Sequence, residues 1–84
     1  MALAVRMVNL YKYLTEEKKE YVLSKQVLRS GTSVGAMVYK SEHSESTSDF
    51  IHKLAIAQKE INETLYWLEL LSKTEYITPK EYIA

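Results

Sequence analysis

Apolar residues recur along this chain at steps of three and four, the spacing that gathers side chains on one face of an α-helix. Leu3, Met7, Leu10 and Leu14 set such a face at the start, and the spacing predicts a first helix over residues 2–14. Leu23, Val27, Ser30, Val34, Met37 or Val38, and Ser41 continue it in a second helix over 16–42. Thr15 is placed to cap that helix, and Glu16 and Glu17 suit the positive end of its dipole. Gly31 and Gly35, with Thr32 and Ser33 between them, interrupt the composition but not the phase. A glycine inside a helix costs about 0.8–1 kcal/mol relative to alanine. Such a pair marks either a turn or a point where a neighbouring helix comes close, and the unbroken phase favours one long helix with close approach.

His43 to Ser48 is polar and reads as a loop, with Ser46 (followed by Asp49) or Ser48 able to cap what comes next. A third helix follows over 48–73, its stripe formed by Phe50, Leu54, Ala57, Ile61, Leu65, Leu68 and Leu71. Thr78-Pro79-Lys80-Glu81 then carries the marks of another helix start: a threonine N-cap, proline in the first helical position and glutamate closing a capping box. The expected fold is all-α: an antiparallel up-down bundle in one domain over 1–84, with three long helices and a truncated fourth starting at 78–84.

A second apolar stripe lies beside the first. Ile56, Trp67 and Leu70 are displaced by roughly a third of a turn from the core stripe of the third helix. Tyr21, Leu28 and Tyr39 are displaced similarly on the second. Helices apolar on two faces are buried on two faces, so these six residues are the expected contacts with another subunit. Seven tyrosines and one tryptophan suit that role, because such rings supply much of the energy of interfaces.

Length sharpens the same point. A core in a chain of 84 residues seldom supplies more than about 3–5 kcal/mol, and the usual supplements are disulfides, a metal or oligomerisation. Cysteine is absent, which removes disulfides and thiolate metal sites. No apolar run has the length of a membrane span or a secretory signal. A cytoplasmic homo-oligomer is the expectation that remains.

Eleven basic and eleven acidic residues balance, which argues against a domain that coats nucleic acid by charge alone. The balance is uneven along the chain, however. Residues 1–40 hold seven Lys/Arg against three Glu, a net of +4, and residues 41–84 reverse it to −4. Oppositely charged helix faces that attract within a bundle or between subunits account for this. The sharper alternative is a basic stripe of Lys18, Lys19, Lys25, Arg29 and Lys40 for a nucleic-acid backbone.

Candidate chemistry is sparse. Asp49 and His52 sit one turn apart, and Glu60 and Glu63 repeat the spacing. Bundle metal sites need four or more such ligands converging on the core, whereas these four lie off the Phe50–Leu54–Ile61–Leu68 face and read as solvated charge. Ser30, Thr32 and Ser33 beside Arg29 have no nearby base and no phosphate-loop spacing, so small-residue packing explains them better. Arg29 is expected to pair with Glu60, Glu63 or Glu69. No catalytic residue, metal or cofactor is expected, and the chain reads as a non-enzyme. Asn62-Glu63-Thr64 matches a glycosylation acceptor but falls inside a helix, a coincidence of sequence.

The runs LRSGTSVGAMVYKSEHSES and DFIHKLAIAQKEINETLYWLELLSKTEYIT, with VRMVNLYKYL and EEKKEYVLSKQ before them, resemble the four-helix-bundle family described from ribosomal-RNA intervening sequences. The resemblance implies a small bacterial protein, an antiparallel bundle that assembles into ring-shaped homo-oligomers, commonly pentamers, and a largely unassigned role. A distant relative is the accessory variability protein of diversity-generating retroelements, which binds nucleic acid through a basic surface. This chain departs from the family at Met37, where many members have asparagine, and at Lys40, where they have glutamate. Members also carry a full fourth helix and extra residues before the first. The reading that results is a homo-oligomeric helical scaffold, with nucleic-acid binding along the second helix as the alternative.

Overall fold

The computed structural model describes residues 1–77. Among them are three helices and no strand: α1 (Ala2–Glu16), α2 (Leu23–Ser41) and α3 (Thr47–Lys73). α2 is central, packed on both α1 and α3, while the backbones of α1 and α3 do not meet. The 27 residues of α3 rise about 40 Å, which sets the long dimension of a body measuring 43 × 21 × 19 Å. The helix start expected at Thr78 to Ala84 lies outside the described residues.

The junction of α1 and α2 differs from the sequence expectation. α1 continues through Thr15, whose hydroxyl donates back to the Tyr11 carbonyl at 2.9 Å instead of capping a new helix. α2 begins at Leu23, not at Glu16. Lys19 takes a left-handed backbone, φ 54°, which ends regular α geometry. Glu20 then folds its carboxylate over the start of α2 and accepts the N–H groups of Val22 (2.9 Å), Leu23 (2.8 Å) and Ser24 (2.6 Å). These donors have no partner within the helix, and their partial positive charge favours an anion. Glu20 is only 7% exposed, and the Ser24 hydroxyl donates to its carbonyl at 3.0 Å.

α2 then runs unbroken through both glycines. A Cβ at Gly31 would overlap Cγ and Sδ of Met7, whereas one at Gly35 would stand 3.7 Å from Ala4 Cβ, an ordinary contact. A side chain at position 31 would therefore force Met7 to move, whereas position 35 has room for one. The pairs Gly31–Met7 and Gly35–Ala4 ascend one helix while descending the other.

α3 is capped by Ser46, whose Oγ accepts the Asp49 N–H at 3.1 Å; Asp49 in turn accepts from the Glu45 N–H at 3.2 Å. At its other end Glu75 is left-handed, φ 67°. The Tyr76 N–H reaches the Leu71 carbonyl at 3.0 Å, and the Glu75 N–H reaches Ser72 at 3.1 Å. This pair of bonds is a Schellman closure, and the apolar residue after it packs back on the helix. Tyr76 and the buried Ile77 accordingly join the core.

That core is formed by Met7, Leu14, Val27, Leu71 and Ile77, with Leu10, Tyr13, Leu23, Trp67, Leu68 and Tyr76 packed around it. On α3 the buried residues are Ala57, Thr64 and Leu71, a line at seven-residue spacing, and the stripe expected from the sequence is only partly covered. Phe50, Leu54 and Leu65 are exposed at 41%, 38% and 49%. The reason is geometric: α3 rests on α2 along the Ala57–Thr64–Leu71 line, and no described helix lies against the flank that bears Leu54 and Leu65.

Candidate functional site

Polar groups gather where α2 and α3 cross. Arg29 projects from α2 to form a charged hydrogen bond with Glu63 of α3, lies 3.6 Å from Glu60, and donates to Gln26 Oε1 at 3.3 Å. The Trp67 indole N–H donates to the same Glu63 oxygen at 3.3 Å. That donor first, and the Arg29 charge second, hold the Glu63 carboxyl below its ordinary value. Beneath this seam the Thr64 hydroxyl donates to Ser30 Oγ at 2.9 Å, and Ser30 donates to the Gln26 carbonyl at 2.9 Å. Both residues are buried. Thr64 also reaches the Glu60 carbonyl at 2.8 Å, so each hydroxyl has a backbone acceptor in its own helix, and the Thr64–Ser30 bond links α2 to α3 in addition. Glu60 Oε2 is buried with no hydrogen bond; at 3.6 Å Arg29 offers it charge but no donor contact.

This arrangement separates the expected site residues. Arg29 pairs with Glu60 and Glu63, two of the three partners expected for it, while its side chain stays half exposed. Lys18, Lys19, Lys25 and Lys40 are exposed. Lys18 Nζ lies 5.8 Å from the centre of the Tyr13 ring, a cation–π arrangement. Lys25 and Lys40 occupy the first and last turns of α2, about 22 Å apart along its axis.

The six interface candidates divide as well. Tyr21 and Tyr39 are exposed at 54% and 62%; Leu28, Ile56, Trp67 and Leu70 are half-buried. Tyr39 lines a recess of about 310 Å³ between α1 and α2, where Ala4, Thr32, Gly35, Ala36 and Lys40 also contribute. Leu70 belongs to a different surface, a shallow hollow on α3 with Tyr66, Glu69 and Lys73. Trp67 hydrogen-bonds Glu63 and packs against the core.

Among the described residues no three His, Asp or Glu side chains converge as metal ligands. Asp49 pairs with Lys53 at 2.8 Å. The Lys53 hydrogen bond, followed by the Glu45 N–H, keeps its carboxyl below the ordinary value. No described helix is long and apolar enough to cross a membrane. Sequence reasoning overlooked Glu20, because a helix already under way at that point hides a capping carboxylate. The signal available was the Lys18-Lys19-Glu20 run of polar residues immediately before the apolar phase resumes at Leu23.

Three helices, with small residues threading α2 and a charged seam between α2 and α3, define a small all-α protein. The chain belongs to the 23S rRNA-intervening sequence protein family, whose model matches residues 1–84. It is similar over 96% of its length to a protein of unknown function from the S23 ribosomal protein family of Bacteroides thetaiotaomicron VPI-5482. The two are 62% identical, superpose with a TM-score of 0.93, and the match spans 75% of the Bacteroides chain. No curated protein matches this chain.

Proposed function

We propose that this chain is a non-enzymatic interaction protein of the bacterial cytoplasm that acts as a homo-oligomeric helical scaffold. In this reading the chain is an antiparallel up-down bundle of three long helices with a truncated fourth, its fourth position empty or filled by that stub or by a neighbouring chain. The observation that carries the reading is the extent of exposed apolar surface: Leu3 and Val5 on α1, Val38 and Tyr39 on α2, and Phe50, Leu54, Leu65 and Tyr66 on α3. Large apolar side chains exposed on all three helices support a reading in which they contact other chains. A family ring, commonly a pentamer, is the form expected.

Light scattering behind a sizing column tests it. A defined mass above the single-chain 9.8 kDa is the expected result, and a folded monomer at micromolar concentration would overturn it. Nucleic-acid binding through Lys18, Lys19, Lys25, Arg29 and Lys40 is the weaker reading, because Arg29 is engaged with Glu63 and Glu60. It requires affinity that falls steeply with salt, and absence of a shift in a low-salt RNA and DNA binding assay removes it.

A further inference from the structure

We propose that the recess between α1 and α2 is a binding site for a small aromatic carboxylate. The inference does not depend on the scaffold reading, because every residue of the recess belongs to one chain. Its volume of about 310 Å³ falls at the lower end of ordinary ligand sites and suits a molecule of two fused rings. Small residues, Ala4, Gly35 and Ala36, line it. Gly35 is the informative one. Glycine is less favourable than alanine in a helix, and a Cβ at this position would meet Ala4 at an ordinary 3.7 Å. The fold would gain from a side chain that would take space from the recess. Stability given up in this way is common where a site needs the room.

One wall is aromatic and braced. The Tyr39 ring meets His43 edge-on, ring centres 5.5 Å apart and planes at 60°, and it remains largely exposed. A ring held by a neighbour loses little freedom when a flat ligand packs against it in an offset or edge-to-face arrangement.

The polar groups of the recess set the charge of its ligand. Thr32 commits its hydroxyl proton to the Leu28 carbonyl at 2.6 Å. Among the described residues, the Lys40 ammonium and the Tyr39 hydroxyl have no hydrogen-bond or ion-pair partner. Both are donors and one carries charge, so an anionic acceptor is the group that completes them. Glu42 lines the adjoining hollow that shares Gly35 and Tyr39, which favours a carboxylate seated on the Lys40 side. An inorganic anion would leave the apolar floor uncovered, and a neutral arene would leave the ammonium unpaired. An aromatic body with one carboxylate satisfies both.

Titration of the full chain with 2-naphthoate at neutral pH, followed by amide NMR, tests this. Saturable shifts are expected at Thr32, Gly35, Ala36 and Lys40, with a Kd of about 1 mM or tighter for a probe of this size. The neutral counterpart, 2-naphthalenemethanol, should bind about two- to fivefold more weakly, the scale of an exposed ion pair. Lys40→Gln should erase that preference. Gly35→Leu fills the recess and should abolish the shifts. Gly35→Ala, which the geometry accommodates, should weaken binding by less, and it replaces the leucine variant if circular dichroism shows that variant losing helix. Absence of saturable shifts at ten times the expected Kd would overturn the site. Shifts of equal size at Leu54 and Leu65 on the open flank of α3 would overturn it too, as the mark of unspecific adsorption. Equal affinity of the parent chain for acid and alcohol would overturn the assignment of a carboxylate.

Discussion

The two ends of the molecule are built from similar residues and end in opposite conditions. At one end, where α1 finishes, α2 begins and α3 closes, Leu14 and Leu71 are fully buried, Val27 is 1% exposed and Ile77 is 4% exposed. At the other end, Leu3, Val38 and Phe50 stand between 41% and 43% exposed, and Ile51 reaches 60%. Hydrophobicity does not separate these sets. The difference is what the chain does next to them: the Schellman closure at Glu75 folds Tyr76 and Ile77 back over the first end, and no described segment does the same for the second. Burial here depends on chain reversals, and a leucine contributes only what its neighbours allow.

That contrast can be tested by substitution. Leu71→Ala should cost the most, about 2–5 kcal/mol by chemical denaturation, since a fully buried leucine leaves a cavity as well as losing transfer energy. Leu54→Ala at the open end should cost less than about 1 kcal/mol, as expected away from a packed core. An equal loss at both sites would show that the open flank is covered in solution.

The two glycines sharpen the comparison within α2. Gly31→Ala should destabilise the chain by about 1–3 kcal/mol, because the overlap with Met7 outweighs the gain in helix propensity. Gly35→Ala, which meets Ala4 at an ordinary 3.7 Å, should stabilise it by about 0.5–1 kcal/mol. Thermal melts of the pair would show opposite signs, and like signs would contradict the geometry.

Glu20→Ala should cost about 1–2 kcal/mol, the scale of a lost helix cap, and hydrogen exchange at Val22, Leu23 and Ser24 should rise selectively. Smaller still is the pH response of the α2–α3 seam. Glu63 has a folded value depressed by the Trp67 N–H and Arg29, below an ordinary value near 4.5. Its contribution is therefore present above the ordinary value and is lost as pH falls through the depressed one. Trp67 emission, titrated from neutral pH into acid, should shift in that window. Glu63→Gln, which keeps an acceptor but no titratable charge, should flatten the response.

Much of the fold was legible because helical phase is a local signal. The continuity of α2 through Gly31 and Gly35 follows from spacing, whereas the cap at Ser46 and the pairing of Arg29 with Glu60 and Glu63 are each among the alternatives that spacing left open. The start of α2 was not legible, since a left-handed Lys19 and a folded-back Glu20 carry no periodic mark. The exposure of Phe50, Leu54 and Leu65 was equally hidden: an apolar stripe states which face seeks cover, and tertiary structure decides whether cover is present. The separation of Tyr39 from Leu70 onto different surfaces likewise depends on how three helices are arranged, which no single helix encodes.

The central place of α2 has a consequence in time. Each pair of helices with close backbones, α1 with α2 and α2 with α3, joins neighbours in the sequence. Chains rich in such local encounters pay little loop entropy before contacts form, and helical proteins of this kind fold in microseconds to milliseconds. The Gly31–Met7 contact closes across the short turn around Glu20, so the α1–α2 hairpin can assemble while α3 is still emerging from the ribosome. On this ordering the apolar flank of α3, with Leu54 and Leu65 exposed, is the last surface made.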